Sequence, residues 1–351
     1  MSSKPKAHSS KLKDVKNMSE KILMGHGSGG RLMHNLVKEK FLTRFKSKIL
    51  RQLTDAAVLG ELKGKIAFTT DSYVVKPIFF PGGDIGKLAI CGTVNDLAVM
   101  GATPKYMTCG FIVEEGLRIS DLEKIFDSMK EMEKRSGIEI VGGDLKVVNS
   151  GEADKIFINT SGIGIIDNKI DLSYRKIKPG DKIIINGNIG EHGIAVVSKR
   201  QGIDFKTNIK SDCAPLNLII KDAMASGEVR FMRDPTRGGL ATTLNEIAEK
   251  IGYSIEIDEK EIPVSKGVKD ACELLGFDPL YIANEGKVVV IVSAKDAGKV
   301  LKKMKRNILG KNSRIIGEVK KEKGKKVALN TKIGGKRIID MMTSEQLPRI
   351  C

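Results

Sequence analysis

Three aspartates are placed where a carboxylate needs a partner. Asp71 directly follows an apolar, strand-like run, and Asp144 follows a second such run through two glycines. Asp96 lies inside 88–100, a helical stretch that is apolar nearly all round. A buried carboxylate is costly unless a cation compensates it, and Mg²⁺ prefers oxygen ligands and bridges to phosphates. The pattern favours a Mg²⁺ and phosphate site. The alternative, an ordinary helix or turn cap, accounts for Asp71 or Asp144 better than for Asp96.

Two glycine-rich segments offer backbone amides to an anion. His26-Gly27-Ser28-Gly29-Gly30 precedes a helical stretch, and it is not a P-loop because no Gly-Lys-Ser/Thr follows at the right spacing. Asp234-Pro235-Thr236-Arg237-Gly238-Gly239 also precedes a helix and adds a guanidinium that can pair with phosphate. Amides at a helix N-terminus attract anions. A flexible hinge in the first segment and a salt-bridged cap in the second are the alternatives.

Lys146 and Glu285 are candidates for proton transfer. A lysine near other cations has a lowered pKa, and a glutamate in a closed site has a raised one, although lone residues of both types lie more often on the surface. His192, in Gly190-Glu191-His192-Gly193, fits a site or a helix cap equally well. The sequence has no Ser-His-Asp spacing and no His-x-x-x-His pair, so neither a nucleophilic hydrolase nor a zinc site is indicated.

The sequence ends on a thiol, Cys351, after Gln346-Leu347-Pro348-Arg349-Ile350. Pro348 fixes one backbone angle and biases Leu347 toward an extended conformation. Chain ends are usually mobile unless something ties them down. We therefore expect an arm that can carry a sulfur-bound group into and out of a site, the alternative being an incidental cysteine on a frayed end.

Composition predicts a soluble protein of two domains. The chain has 351 residues, 41% of them hydrophobic and 29% charged. No apolar run approaches the roughly 20 residues that span a bilayer, and the Lys-rich start is not a secretory signal. The five cysteines are widely spaced, which argues against a disulfide framework or a zinc knuckle. These features predict a cytoplasmic protein that does not engage a membrane.

The net charge of +17 is concentrated in two segments. Residues 1–21 hold six lysines and two acids, and 299–337 hold fifteen Lys and Arg and two acids. Neither segment contains an aromatic residue on which a base could stack. We therefore expect a solvated basic surface and no nucleic-acid partner.

Strand-like and helical runs alternate from about residue 65 onward, which predicts an α+β fold of two mixed α/β domains. Ser120 and Glu123 form a candidate capping box, and Gly137 marks a helix end. We expect a disordered extension at 1–20, domains at 21–172 and 173–337, and a mobile tail at 338–351. The predicted strands are 66–70, 107–113, 138–141, 156–165, 182–185, 288–292 and 314–319, and the predicted helices are 86–100, 120–136, 191–200, 214–226, 239–251 and 295–305.

In order, the motifs resemble the HypE family of [NiFe]-hydrogenase maturation factors, from about residue 21 to 351. Single motifs are shared with the wider superfamily of aminoimidazole ribonucleotide synthetase and selenophosphate synthetase, but the Pro-Arg-Ile-Cys end is specific. The motifs are His26-Gly27-Ser28-Gly29-Gly30, Thr70-Asp71-Ser72-Tyr73-Val74, Phe80-Pro81-Gly82-Gly83, Cys91-Gly92-Thr93 with Asn95-Asp96, Gly142-Gly143-Asp144 with Lys146, Asp234-Pro235-Thr236-Arg237-Gly238-Gly239, Asn284-Glu285-Gly286-Lys287 and Pro348-Arg349-Ile350-Cys351.

The resemblance implies two PurM-like domains, a homodimer in which the first domains form a β-barrel, and ATP in the cleft between domains. It also implies a reaction. The carbamoyltransferase HypF loads a carbamoyl group onto the C-terminal thiol, ATP drives its dehydration to a thiocyanate, and the cyanide passes to iron on a HypC–HypD complex.

Roles carry over from the family position by position. Asp71, Asp96 and Asp144 would hold Mg²⁺ and phosphates with help from Asn95, and Cys351 would carry the substrate. Lys146 and Glu285 would move protons, and the loop 26–30 would close on the nucleotide. The remaining expected nucleotide-binding residues are Asp55, Ser72, Asp234 and Arg237. Relatives often have an acidic pair where this chain has Thr54-Asp55-Ala56-Ala57, so one metal ligand there is missing or replaced.

Two other functions fit parts of the sequence. A kinase or synthetase of the same superfamily would act on a free small molecule, but a selenophosphate synthetase would place a Cys in the early glycine-rich loop, and none precedes Cys91. A non-catalytic basic adaptor would leave Asp96 unexplained.

Overall fold

The computed structural model describes residues 20–202, 208–342 and 350. Most of the expected extension at 1–20 and the terminal Cys351 lie outside the described residues. Within them, the first domain contains strands β1 (Lys65–Tyr73), β2 (Phe79–Phe80), β3 (Gly83–Asp84), β4 (Thr103–Glu114), β5 (Glu139–Val148) and β6 (Ile156–Ile166), and helices α1 (Arg31–Leu36), α2 (Ile85–Val99) and α3 (Ile119–Ser136).

The first domain is built on a sheet with the strand order β1-β6-β4-β5. Only β4 and β5 pair in parallel, and the other neighbours are antiparallel. Side chains alternate between the two faces of a strand, and α2 covers one of these faces. The opposite face is open, and Ile66, Phe68 and Ile112 on it are 59%, 69% and 45% exposed.

Helix α2 is apolar all round because it is packed on two sides. Leu88 and Val94 belong to the core of the first domain. Ala98 and Val99 belong to a cluster with Leu216 and other residues of the second domain. A helix buried on both sides loses the polar stripe that a surface helix shows, and its few polar residues must find partners.

The second domain is a sheet with the order β13-β12-β9-β11-β7-β10-β8, flanked by helices. Its central strands β7 (Lys182–Ile185) and β10 (Val289–Val292) are almost wholly buried, which explains their unbroken Ile and Val runs. The other elements are α4 (Glu191–Gln201), α5 (Asn217–Ser226), β8 (Val229–Arg233), α6 (Gly239–Ile251), β9 (Tyr253–Asp258), α7 (Lys266–Leu275), α8 (Ala297–Met304), β11 (Arg314–Lys323), β12 (Val327–Asn330) and β13 (Lys336–Ile339).

The predicted α+β class is confirmed, and each predicted strand and helix corresponds to an observed one. The sequence patterns did not predict β8, β9, β12, β13 and α7. The capping box was wrong. Helix α3 begins at Ile119 after Arg118, without a side-chain cap, so Ser120 lies inside the helix. Glu123 forms an ion pair with Lys40 at 2.9 Å. Gly137 does end the helix, with φ of +75° and its N–H bonded to Glu133.

The predicted barrel would need a second copy, since the first sheet is open along one face; it stays a prediction. Strand β13 continues the second sheet to Ile339, two residues past the expected end of the second domain at 337. In the described parts of the chain, none of the helices has the length and hydropathy that a membrane span requires.

Asn95 joins the two domains. This α2 side chain is 2% exposed. Its amide nitrogen donates to the carbonyls of Ala214 at 3.2 Å and Glu285 at 3.1 Å, and its oxygen accepts from the N–H of Leu216 at 2.8 Å. These three hydrogen bonds of the amide are all directed at the second domain, which favours a positioning role for Asn95 over direct contact with a nucleotide.

Asn95→Ala should destabilise the protein by about 3 kcal/mol, because it strands three buried backbone groups. Chemical denaturation followed by circular dichroism would measure the loss. The exposed Asn312→Ala is the matched control and should stay within about 0.5 kcal/mol of the wild type. Equal stability of the two variants would contradict the proposed link.

Candidate active site in the domain cleft

Four acidic residues from both domains face one another in the cleft. Asp71 lies on the helix-facing side of β1, Asp96 on α2, Asp234 directly after β8, and Glu285 before β10. The Thr69 hydroxyl donates to Asp96 Oδ2 at 2.9 Å. Burial, followed by repulsion from Asp234 and Asp71, raises the pKa of Asp96 to about 6. The cleft therefore concentrates negative charge that a cation would relieve.

Glu285 is the most deeply buried of the four, at 4% exposure. Burial first, and then Cys213 and Asp234, raise its pKa well above the ordinary value. Its N–H donates to Asp212 Oδ1 at 3.1 Å, and Gly286 allows this approach because a Cβ there would lie 1.8 Å from the Asp212 carbonyl oxygen. A fixed, buried carboxyl of raised pKa is suited to exchanging protons with a bound substrate.

The sequence patterns did not predict an ion pair that involves Asp212, the residue that accepts from the N–H of Glu285. Lys287 Nζ is 2.9 Å from Asp212 Oδ2 and 3.9 Å from Glu191 Oε2. Burial alone would raise the pKa of Asp212, but Lys287, His192 and the N–H of Glu285 together outweigh it and the pKa is lowered. The only signal in the sequence was the position of Lys287 in the Asn284-Glu285-Gly286-Lys287 motif.

The donor set of the cleft suits a hard cation. No three His, Cys, Asp or Glu side chains converge as a ready metal site within the described residues. The carboxylates of Asp71 and Asp96 nevertheless repel each other, with Arg233 as a compensating cation. Carboxylate oxygens that leave room for water and phosphate ligands fit Mg²⁺.

Asp144 and Lys146 lie outside this group of cleft residues. Both are 60% exposed and ion-paired to each other on the open face of the first sheet, and Lys146 lowers the pKa of Asp144. Across the sheet, Asp144 on β5 is in register with Gly110 on β4, Gly110 with Asn159 on β6, and Asn159 with Ser72 on β1. Three strand spacings make about 14 Å. Asp144 therefore does not meet Asp71 and Asp96 within one chain.

The glycine-rich loop 26–30 lies at the same edge as Lys146. His26 is buried, and its Nδ1 accepts from the N–H of Leu23 at 3.0 Å. Gly27 touches β5 so closely that a Cβ would lie 2.5 Å from Val147 N. Gly29 has φ of +76°, and α1 starts two residues later.

The other expected site residues are scattered. Asp55 is exposed in a segment without regular structure, and Arg237 is exposed at the start of α6. Ser72 Oγ, on the open face, accepts from Asn159 at 2.9 Å. The chain thus carries a cleft group, comprising Asp71, Asp96, Asp234 and Glu285, and an edge group, comprising the loop 26–30, Asp144 and Lys146.

Cys351 is outside the described residues, but its neighbour is not. Ile350 is 7% exposed and belongs to the core cluster of the first domain. Its carbonyl oxygen lies 2.8 Å from His192 Nε2. Ile350 therefore lies beside the cleft.

Comparison with known proteins decides the family. The chain matches the AIR synthase related protein family, N-terminal domain over 53–166 and C-terminal domain over 178–330. It is 47% identical to carbamoyl dehydratase HypE of Cupriavidus necator over 335 residues, 95% of each chain. The chain belongs to the HypE family.

Solved HypE structures agree with this. A HypE in complex with ATP has a TM-score of 0.90 and 45% identity, covering 94% of this chain and 99% of that one. A HypE from a HypE–HypF complex has a TM-score of 0.77 and 49% identity, covering 88% and 99%. The two PurM-like domains and the HypE resemblance of the motifs are confirmed.

In metal-free protein, Asp96→Asn should raise stability above about pH 6. The folded-state pKa of Asp96, about 6, lies above its ordinary 3.8. Its contribution to stability is therefore complete below about pH 4 and is lost as the pH rises through 6, by up to about 3 kcal/mol. Thermal unfolding between pH 4 and 8 in chelator would show the variant gaining on the wild type only at the upper end. The exposed Asp270→Asn should not change the profile, and a parallel shift at all pH values would contradict the assignment.

Proposed function

We propose that this HypE-family chain catalyses the ATP-dependent dehydration of a carbamoyl group carried on Cys351 to a thiocyanate. The product would supply the cyanide ligand of the [NiFe]-hydrogenase iron centre. The observation that carries the proposal is the contact of Ile350, the residue before the carrier thiol, with His192. The same imidazole contacts Ser211, whose neighbour Asp212 accepts from the N–H of Glu285. The names of the relatives, carbamoyl dehydratase HypE, support it.

The chemistry requires activation of a poor leaving group. The carboxamide oxygen attacks the γ-phosphorus of ATP and the nitrogen gives up one proton, which releases ADP and forms an imidate whose oxygen carries the phosphate and whose carbon stays bonded to sulfur. The nitrogen then loses its remaining proton as the C–O bond breaks, which gives a thiocyanate, phosphate and a proton. The sum is one carbamoyl thioester and one ATP consumed, with the water of dehydration ending in phosphate.

Residues of the cleft group fit these steps. Glu285, with its raised pKa, would accept a proton from the carbamoyl nitrogen, and the Lys287–Asp212 pair would keep its backbone in place. Asp71 and Asp96 would hold Mg²⁺, with Asp234 beside them. When bound, Mg²⁺ neutralises charge on the transferring phosphoryl group. ATP binding to a relative of 45% identity supports nucleotide in this cleft.

The edge group would act through a homodimer. The open sheet face exposes Ile66 and Phe68 on β1, and Ile112 on β4 beside Lys146 on β5, and an apolar sheet face of this kind is typical of an interface. Pairing two such faces would place Asp144, Lys146 and the loop 26–30 of one copy toward the cleft of the other. Lys146 would then contact phosphate or assist proton transfer.

The other partners follow from the same function. The HypE–HypF complex of a relative supports HypF as the source of the carbamoyl group. A HypC–HypD complex would receive the cyanide in the cytoplasm. Neither a membrane nor a nucleic acid is needed for these steps.

The function is tested by the mass of the intact protein after incubation with HypF, its substrates and ATP. The C-terminal peptide should gain one carbamoyl group and then lose one water. Cys351→Ala should abolish carbamoyl-dependent ATP turnover while retaining ATP binding by calorimetry. Cys272→Ala, which removes a buried thiol on α7, is the matched control and should behave as the wild type. Equal turnover by the wild type and Cys351→Ala would favour a synthetase acting on a free substrate.

Mixed dimers test the composite site. Glu285→Gln and Lys146→Ala should each be inactive alone, since Gln cannot accept the proton and Ala removes the cation. If Lys146 serves the neighbouring copy, a mixture of the two should regain about a quarter of wild-type activity, because half the dimers then hold one intact site. The exposed Glu249→Gln is the control for the first substitution. No recovery in subunit-exchanged mixtures would place Lys146 and Glu285 in the same copy's site or outside it.

A further inference from the structure

His192 lies beside the cleft, and the proposed roles do not use it. We infer that His192 is a positioning residue that seats the C-terminal tail by donating a hydrogen bond from Nε2 to the carbonyl of Ile350, which presents Cys351 to the Glu285 loop. The inference rests on the proposed function, in which Cys351 carries the substrate.

The start of α4 holds His192 rigidly. Its side chain is fully buried. Gly190 N donates to the Asn284 side chain at 2.8 Å, and Gly193 N donates to the Ala283 carbonyl at 3.2 Å. The imidazole is therefore fixed relative to the residues immediately before Glu285.

The hydrogen bonds determine the tautomer of His192. The carbonyl of Ile350 can only accept, so Nε2 must carry the proton. Nδ1 then accepts from the Ser211 hydroxyl at 2.8 Å, and Ser211 Oγ accepts from Cys213 N at 3.1 Å. Burial lowers the pKa of His192, in agreement with a neutral ring. The relay orients the Nε2 proton toward the tail, whereas a helix cap or an ordinary core histidine would not need this acceptor.

The side chain of Ile350 is held as well as its carbonyl. We call the residues around it, His192, Phe80, Val196 and Ala283, the seat. Ile350 is buried in the cluster that includes Phe80, Val196 and Ala283. The rings of Phe80 and His192 are perpendicular, with an interplanar angle of 90° and centroids 5.4 Å apart. Phe80 belongs to the first domain and the other residues of the seat to the second, so the seat is complete only when the cleft is assembled.

The seat shares a loop with the candidate base. Ser211 and Cys213 bracket Asp212, whose carboxylate accepts from the N–H of Glu285 at 3.1 Å. Consecutive Cα atoms are about 3.8 Å apart, so a hydrogen bond that holds Ile350 would limit how far the thiol of the next residue can move from this loop. His192 would thus act on the reaction through the tail, without touching the reacting atoms.

The test uses the full chain, preloaded with carbamoyl by HypF, and three measurements. They are the single-turnover rate of water loss from Cys351 by intact mass, the alkylation rate of uncarbamoylated Cys351 in nucleotide-bound protein, and ATP affinity by calorimetry. His192→Leu should slow water loss about tenfold and speed alkylation by a similar factor, the size expected for one hydrogen bond, with ATP affinity unchanged. His192→Gln, whose amide can donate in place of Nε2, should recover to within about threefold of the wild type. Ile194→Val on the same helix should change none of the three.

Ile350 provides a second route that leaves the imidazole untouched. Ile350→Ala should reproduce the defects of His192→Leu, and Ile350→Val should stay near the wild type, so a folding failure at His192 would not remove the test. Wild-type rates of both water loss and alkylation in His192→Leu or Ile350→Ala would overturn the inference. If the wild type itself loses no water, the proposed function fails, while the alkylation rates still decide whether His192 seats the tail.

Discussion

The burial of α2 between the two domains is the constraint on which the candidate site depends. Successive residues of a helix point about 100° apart, so the neighbouring Asn95 and Asp96 face different elements. Asn95 binds the backbone of the second domain, including the carbonyl of Glu285, while Asp96 accepts from Thr69 on β1. These two neighbouring residues of α2 thereby fix the distance between Glu285, the candidate base, and the carboxylate of Asp96. A relative motion of the domains would break the Asn95 hydrogen bonds before it could open the cleft.

The cleft is acidic, whereas the protein as a whole has a positive net charge. The chain carries +17, yet Asp71, Asp96, Asp234 and Glu285 meet in one place, and repulsion from the neighbouring carboxylates adds to burial in raising the pKa values of Asp96 and Glu285. Like charges that are partly desolvated cost folding free energy. The arrangement becomes favourable when a divalent cation and a polyphosphate bind, because the cation reverses the sign of the field that the carboxylates create. Much of the basic surplus is far from this chemistry, and Lys320 and Lys336, for example, pair with Glu256.

The sequence indicated the chemistry of the site better than its geometry. The apolar surroundings of Asp96 along the helix predicted a carboxylate under electrostatic stress, and the raised pKa of Glu285 was also expected. The separation of Asp144 from Asp71 could not be predicted from the local pattern. It depends on the strand order β1-β6-β4-β5 and on the face of β5 on which Asp144, after its two glycines, lies. The Asp212–Lys287 pair and the contact between His192 and Ile350 join residues distant in the chain. Periodicity carries no information on such contacts, and His192 therefore stayed ambiguous between a site and a cap.

A tethered substrate changes what the site must bind. A group on Cys351 has a high local concentration near the cleft because the chain itself brings it back, so tight docking is unnecessary. The seat matches this requirement, since it uses one buried isoleucine side chain and one hydrogen bond from a neutral imidazole rather than an ion pair. Such contacts contribute a few kcal/mol before the entropy of ordering is subtracted. In the proposed function, a weak, directional hold would let the thiol reach a carbamoyl donor and a cyanide acceptor between visits to the cleft, while still orienting the carbamoyl group when ATP is bound.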